Sequence, residues 1–226
     1  MTLQEAMKTL GSMGTGQNRK VYARHGAGDR SFGVSFANIG KLTRTIGTDH
    51  ALASQLWATG NADARTLATM VADPKQATSE DLDVWVNDIQ YYPLADLLAR
   101  YVVSKSPFAR KKMEQWTKSK QDYVGQAGWD VLAILAMNDS GIADSYFERT
   151  LSAIEKRIPR APNRTRHAMN NALIAIGMRT PALRKLALAA AGRIGKVHVD
   201  HGETNCKTPD AASYIRKAAA RQGKRK

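Results

Sequence analysis

Apolar residues in this chain return every three or four positions over most of its length. Leu52, Leu56 and Trp57 stand at i, i+4 and i+5, and Leu67, Met70 and Val71 at i, i+3 and i+4. Leu82, Val86 and Ile89 share a face, as do Leu94, Leu97, Leu98 and Tyr101. Val131, Leu132 and Leu135 continue the pattern, and Leu173 pairs with Ile176. A period near 3.6 is the mark of a helix with one buried stripe. The strict alternation of a half-buried strand is nearly absent, so sheet folds are excluded as the main architecture.

Turn signals interrupt the stripes at regular intervals. Gly47-Thr48-Asp49, Thr59-Gly60-Asn61, Asp73-Pro74, Lys105-Ser106-Pro107, Asp139-Ser140-Gly141, Ala161-Pro162-Asn163 and Thr180-Pro181 all read as stops. Many carry an oxygen-bearing side chain suited to capping the next helix. Thr78 or Ser79 opens the helix of Trp85, with Glu80, Asp81 and Asp83 where the helix dipole favours acids. Pro93, Pro107 and Pro181 each suit a first helical turn. This predicts about a dozen helices, and a pair with its turns takes roughly 35–45 residues, the size of a HEAT-type repeat. The expected fold is therefore all-α, with HEAT-like helical repeats forming a curved α-α superhelix. It covers residues 1–222 as a single domain, with a disordered basic end at 223–226. No strict consensus recurs, so a non-repeating helical domain stands as the alternative. Val197 to Pro209 reads as a loop ahead of a last helix.

Charge narrows the function. The 226 residues hold 34 Lys and Arg against 20 Asp and Glu, a net charge of +14. From Lys156 to Val199 there are ten basic residues and no acid: Lys156, Arg157, Arg160, Arg164, Arg166, Arg179, Arg184, Lys185, Arg193 and Lys196. Residues 211–226 are also free of acids. Such a block is the footprint of a phosphate-backbone binder, although any single Lys or Arg is commonly a solvated helix face. No apolar run reaches the ~20 residues of a membrane span. The lone Cys206 and the absence of a leader-like stretch in residues 1–20 point to a reducing, cytoplasmic setting.

Chemical motifs are few. His198, His201 and Cys206 lie close together, but their spacing matches no common zinc pattern, and the reading is a structured loop without a metal. Gly11, Gly14 and Gly16 lack the strand that a phosphate loop follows. Tyr92 and Asp96 are four apart, so they share a helical face if Pro93 starts a helix. They form either a cap with a packed tyrosine or a site that stabilises positive charge. Asn170 and Asn171 interrupt an apolar helix that also carries Arg164, Arg166 and His167. They are either buried hydrogen-bond partners or polar contacts on a binding face.

Several segments resemble one family. Phe32-Gly-Val-Ser-Phe-Ala-Asn-Ile-Gly-Lys41, Leu56-Trp57, Asp63-Ala-Arg65-Thr-Leu-Ala68, Trp85-Val-Asn-Asp88 with Tyr92 and Asp96, and Val199-Asp-His-Gly-Glu-Thr-Asn-Cys-Lys207-Thr-Pro-Asp210 follow in order over most of the chain. They are similar to the AlkD-type DNA alkylation repair proteins, HEAT-like repeat DNA glycosylases. The resemblance implies excision of cationic N3- or N7-alkylpurines from duplex DNA, without any cofactor. A cleft of two tryptophans and an aspartate holds the lesion there. On that pattern the catalytic residues are Asp96 and Tyr92, with Tyr92 at the first tryptophan position. Asn171 or Asn170 stands at the second, and Gln126 replaces a DNA-contacting arginine. Trp129 offers an aromatic nearby. Tyr91, Arg164, Arg166, His167 and Lys207 complete the expected cleft or DNA-binding set.

The leading expectation is a monomeric duplex-DNA-binding protein related to alkylation repair, possessing or lacking glycosylase activity. The rival is a non-catalytic helical-repeat scaffold that binds DNA, RNA or an acidic protein.

Overall fold

The computed structural model describes residues 1–223, and everything structural below refers to these. Residues 224–226, part of the expected basic end, lie outside them. Thirteen α-helices form: α1 Leu3–Met13, α2 Gly16–Arg24, α3 Phe36–Ile46, α4 His50–Ala58, α5 Ala62–Val71, α6 Ser79–Asn87, α7 Tyr92–Tyr101, α8 Ala109–Trp116, α9 Asp122–Asn138, α10 Asp144–Arg157, α11 Asn163–Arg179, α12 Pro181–Ile194 and α13 Ala211–Gly223. Short 3-10 turns occupy Val103–Lys105 and Ile158–Arg160. No strand forms among the described residues, which contain one isolated bridge between Gly14 and Val34. None of the described helices is long and apolar enough to cross a membrane.

The helix starts follow from local chemistry. Thr78 caps α6 through a reciprocal box with Asp81, whose carboxyl is held below its usual range by the Thr78 hydroxyl and amide. Ser35, Asp49, Asn61 and Thr180 accept first-turn amides of α3, α4, α5 and α12. Pro93 and Pro181 sit in first turns, as their fixed φ suits. Pro107 does not. It precedes α8 in a turn that Ser106 closes, its hydroxyl accepting from the Phe108 amide and its carbonyl from the Ala109 amide.

Two compact units result, one of Met1–Lys111 with Gly202–Thr204, the other of Lys112–His201 with the chain from Asn205 onward. In the first unit Leu10, Ile39, Leu56, Leu67, Leu82, Leu94 and Leu98 are fully buried. In the second the core includes Met113, Trp129, Leu132, Phe147, Ile154, Met169, Leu173 and Ile176. Each such side chain contributes roughly 1.5–3 kcal/mol by leaving water.

Close packing in the second unit depends on two glycines of α9. A Cβ at Gly128 would stand 2.5 Å from the Thr117 amide, and one at Gly125 would collide with the Thr165 side chain. Thr165 there donates to the Asp122 carbonyl at 2.9 Å, and the Asp122 carboxylate accepts from the Arg164 and Thr165 amides. The start of α11 is thus pinned to the start of α9.

Candidate nucleic-acid interface

A concentration of positive charge in the second unit lies around the ends of α8 and α10. Lys118 and Lys120 stand in the turn after α8, Lys156 and Arg157 end α10, and Arg160 lies in the following 3-10 turn. With Ser119, Ala161, Pro162, Thr165 and Met169 they line a cleft of about 650 Å³ that no carboxylate enters. All five cations are exposed. Lys156 and Arg157 at a helix C-terminus also complement its dipole. Arg157 is fixed in the wall: its guanidinium donates to the Thr117 carbonyl at 2.6 Å and lies 5.6 Å from the Trp129 ring centre. Chemically the cleft is a set of donors for anionic oxygens, held by a rigid frame.

Other members of the acid-free block have structural partners. Arg179 donates to the Asp144 carboxylate and to the carbonyls of Ala136, Asp139 and Ile142. Arg193 pairs with Glu155 at 2.7 Å. The long loop after α12 is strapped to α11. Asn163 exchanges two hydrogen bonds with the Asp200 backbone, Arg166 donates to the carbonyls of His198 and Ala161, and Asn170 donates to that of Pro209. The Thr208 hydroxyl contacts His201 Nε2 at 2.9 Å and His167 Nδ1 at 3.4 Å. The two imidazoles meet edge to face at 5.4 Å. Burial, helped by His201 and Arg164, pushes His167 down to about 4, and burial with Arg164 also lowers His201.

The expected site residues therefore separate. Gln126 and Trp129 are each 2% exposed, inside the second unit rather than on a surface. Asn170 is buried and Arg166 ties backbone to backbone, which favours the structural reading of both. Arg164 reaches His201 at 3.5 Å. Asn171 is half-buried beside Met137, Met178 and Tyr214 in an apolar groove. Lys207 is exposed.

Asp96, Tyr91 and Tyr92 belong to the first unit. Tyr92 opens α7 and Asp96 follows one turn later on the same helix. Asp96 is exposed. The Tyr92 hydroxyl is hydrogen-bonded to His25 Nδ1, with the rings 5.6 Å apart. Tyr91 is buried against Tyr22, and burial raises its phenol well above the ordinary range.

The Asp63-Ala-Arg65 segment acts in two directions. The Asp63 carboxylate, 2% exposed, accepts from the Ser31 hydroxyl and the amides of Phe32, Gly33 and Val34 at 2.6–3.1 Å. It clamps the Phe32-Gly-Val turn, where Gly33 has φ +75° and a Cβ would strike the Thr15 carbonyl. Arg65 donates to the Trp57 and Asp88 carbonyls and the Asp88 carboxylate. Asp88 also accepts from Trp57 Nε1, and Trp57 stacks on Trp85 with centroids 4.4 Å apart and planes 2° from parallel. These segments, separated in sequence, are one packed assembly.

A family model for the DNA alkylation repair enzymes matches residues 6–215. The chain belongs to the DNA alkylation repair family. Among its relatives are two proteins described as uncharacterized, both 30% identical to it and both matched over 89% of this chain and 90% of the relative. They are Lin0241 of Listeria innocua, aligned over 207 residues, and Lmo0209 of Listeria monocytogenes, aligned over 209. A solved structure, from a family of proteins related to the HEAT-like repeat DNA glycosylases with affinity for branched DNA structures, is 29% identical. It superposes with a TM-score of 0.89 over 98% of this chain and 95% of that one. The fold of this family member is accordingly the all-α HEAT-like repeat fold that the periodicity predicts. Sequence reasoning located the basic block but not the cleft. Lys118 and Lys120 lie outside the acid-free run and join Lys156 and Arg160 only through the fold.

Proposed function

We propose that this family member binds DNA through the basic cleft of its second unit, prefers branched DNA to plain duplex, and does not excise alkylated bases. The observation that carries the binding is the cleft itself, with five exposed cations and no carboxylate. Phosphate oxygens are its natural occupants, and released counterions supply the driving force. The preference for branched DNA follows the structural relative's affinity for such substrates.

Two observations favour binding without excision. On the family resemblance Asn171 or Asn170 stands at the second tryptophan position, and Asn170 donates to the Pro209 carbonyl. The Tyr92 hydroxyl is engaged by His25. An asparagine has no aromatic face to set against a cationic sugar, and the Tyr92 hydroxyl is held by a partner within the first unit. The test is to incubate the protein with a four-way junction and with a duplex carrying 7-methylguanine. The expected result is tighter binding of the junction, and release of free base no faster than with an Asp96→Asn variant. Release well above that variant would overturn the non-excising reading and restore Asp96 as a charge-stabilising carboxylate. Preference for an acidic protein over both DNAs would overturn the reading as a whole.

A further inference from the structure

The first unit has a cleft of its own, about 550 Å³, between the turn after α2 and the junction of α6 with α7. That volume lies in the range of small-molecule sites. One wall is the Gly28–Arg30 backbone. Gly26 and Gly28 have φ of +91° and +64°, which only glycine adopts without strain. The turn is nonetheless anchored, since the Arg30 carbonyl accepts from the Ala62 amide at 2.8 Å and Asp63 clamps the residues just beyond. Arg30 itself is exposed, and its guanidinium has no hydrogen-bond partner among the described residues.

The opposite wall presents Asp88. Its Oδ2 is occupied by Trp57 Nε1 at 3.0 Å and Arg65 at 3.2 Å. Its Oδ1 accepts from no group among the described residues, so the carboxylate is held rigidly with one oxygen open to the cleft. The amides of Asn87 and Gln90 stand at its edge. Burial of Arg65, with Arg30 as a second cation nearby, lowers the Arg65 guanidinium below its ordinary range. Two guanidiniums disfavour a cationic ligand, and the carboxylates of Asp88 and of Asp29, which also lines the cleft, disfavour a simple anion. A molecule with a phosphate at one end and an N–H donor at the other satisfies both.

We propose that this cleft binds a nucleoside monophosphate, with Arg30 holding the phosphate and Asp88 Oδ1 accepting from the exocyclic amino group of an unpaired base. The inference goes beyond the DNA reading and does not rest on it, because it uses a different unit and different residues.

The experiment is a titration of the full chain with dGMP, deoxyguanosine, dTMP and inorganic phosphate, followed by calorimetry and by tryptophan fluorescence. Trp57 touches the Asp88 carboxylate and reports occupancy. dGMP is expected to bind saturably. Loss of one charge-assisted contact corresponds to about tenfold in affinity. Deoxyguanosine, inorganic phosphate and the Arg30→Ala variant with dGMP should each be weaker by at least about that factor. dTMP lacks an exocyclic amino group and should also bind more weakly than dGMP. Arg30 is exposed and away from the core, so the variant is expected to melt with the wild type. No saturable dGMP binding, or an Arg30→Ala protein that binds dGMP like the wild type, would overturn the proposal. Equal binding of dTMP and dGMP would overturn the role of Asp88.

Discussion

Replacing Asp63 with alanine removes four hydrogen bonds at one stroke. The amides of Phe32 and Val34 lose their partner, the Gly33 amide keeps only the Ser31 hydroxyl, and that hydroxyl loses its acceptor. The site is 2% exposed, so water does not take the place of the carboxylate. A buried polar group left without a partner costs about 1–3 kcal/mol. Two amides fully orphaned and one partly so give a loss of about 3–6 kcal/mol. That is a large part of the ~5–15 kcal/mol that holds a domain together. In a chain of this size each kcal/mol moves the midpoint by about 2–4 °C, so a fall of roughly 10–20 °C is expected. Thermal melting followed by circular dichroism at neutral pH measures it. Asp29→Ala, an exposed change in the same turn, serves as control and should shift the midpoint by little. A midpoint for Asp63→Ala within a degree or two of the wild type would refute the idea that this carboxylate organises the turn.

Arg179→Lys keeps the charge but loses the planar fork that reaches three carbonyls and Asp144. Urea denaturation should show a loss of about 2–3 kcal/mol, and an unchanged midpoint would contradict the assigned role. His167 gives a pH dependence of definite sign. Its folded-state value of about 4 lies below the ordinary 6.5, so the unfolded chain takes up the proton first. Its contribution is complete above about pH 6.5, declines as pH falls, and is lost below about pH 4. The shift corresponds to about 3 kcal/mol at most, and partial solvent access reduces this to about 1–2 kcal/mol. His167→Gln should flatten that part of the stability-against-pH curve, and an identical curve would contradict the assignment.

Helix positions were legible because each depends on near neighbours. The Thr78 box, the Asn61 cap and the Pro181 start are short-range signals. The role of Asp63 was hidden, because its partners lie about thirty residues earlier and only the packed turn brings their amides together. Asp88 was equally opaque, being joined to Trp57 and Arg65 by folding alone. The basic block overstated the binding surface, since Arg166, Arg179 and Arg193 are cations with structural partners that no local pattern reveals. It also missed Lys118 and Lys120, which enter the cleft from a helix end about forty residues away. The two asparagines of α11 stand out in an apolar helix, yet the local sequence does not choose between a buried and a binding role. Only the Pro209 carbonyl decides for Asn170.

The central claim is that the second unit's cleft grips the DNA backbone. It is tested most directly by measuring DNA affinity against salt concentration for the wild type and for a Lys118→Ala, Lys156→Ala, Arg160→Ala triple variant. If all five cations meet phosphates, the slope of log affinity against log salt is about −4.5, and removing three makes it shallower by about 2.7. A variant with the wild-type slope and affinity would contradict the account.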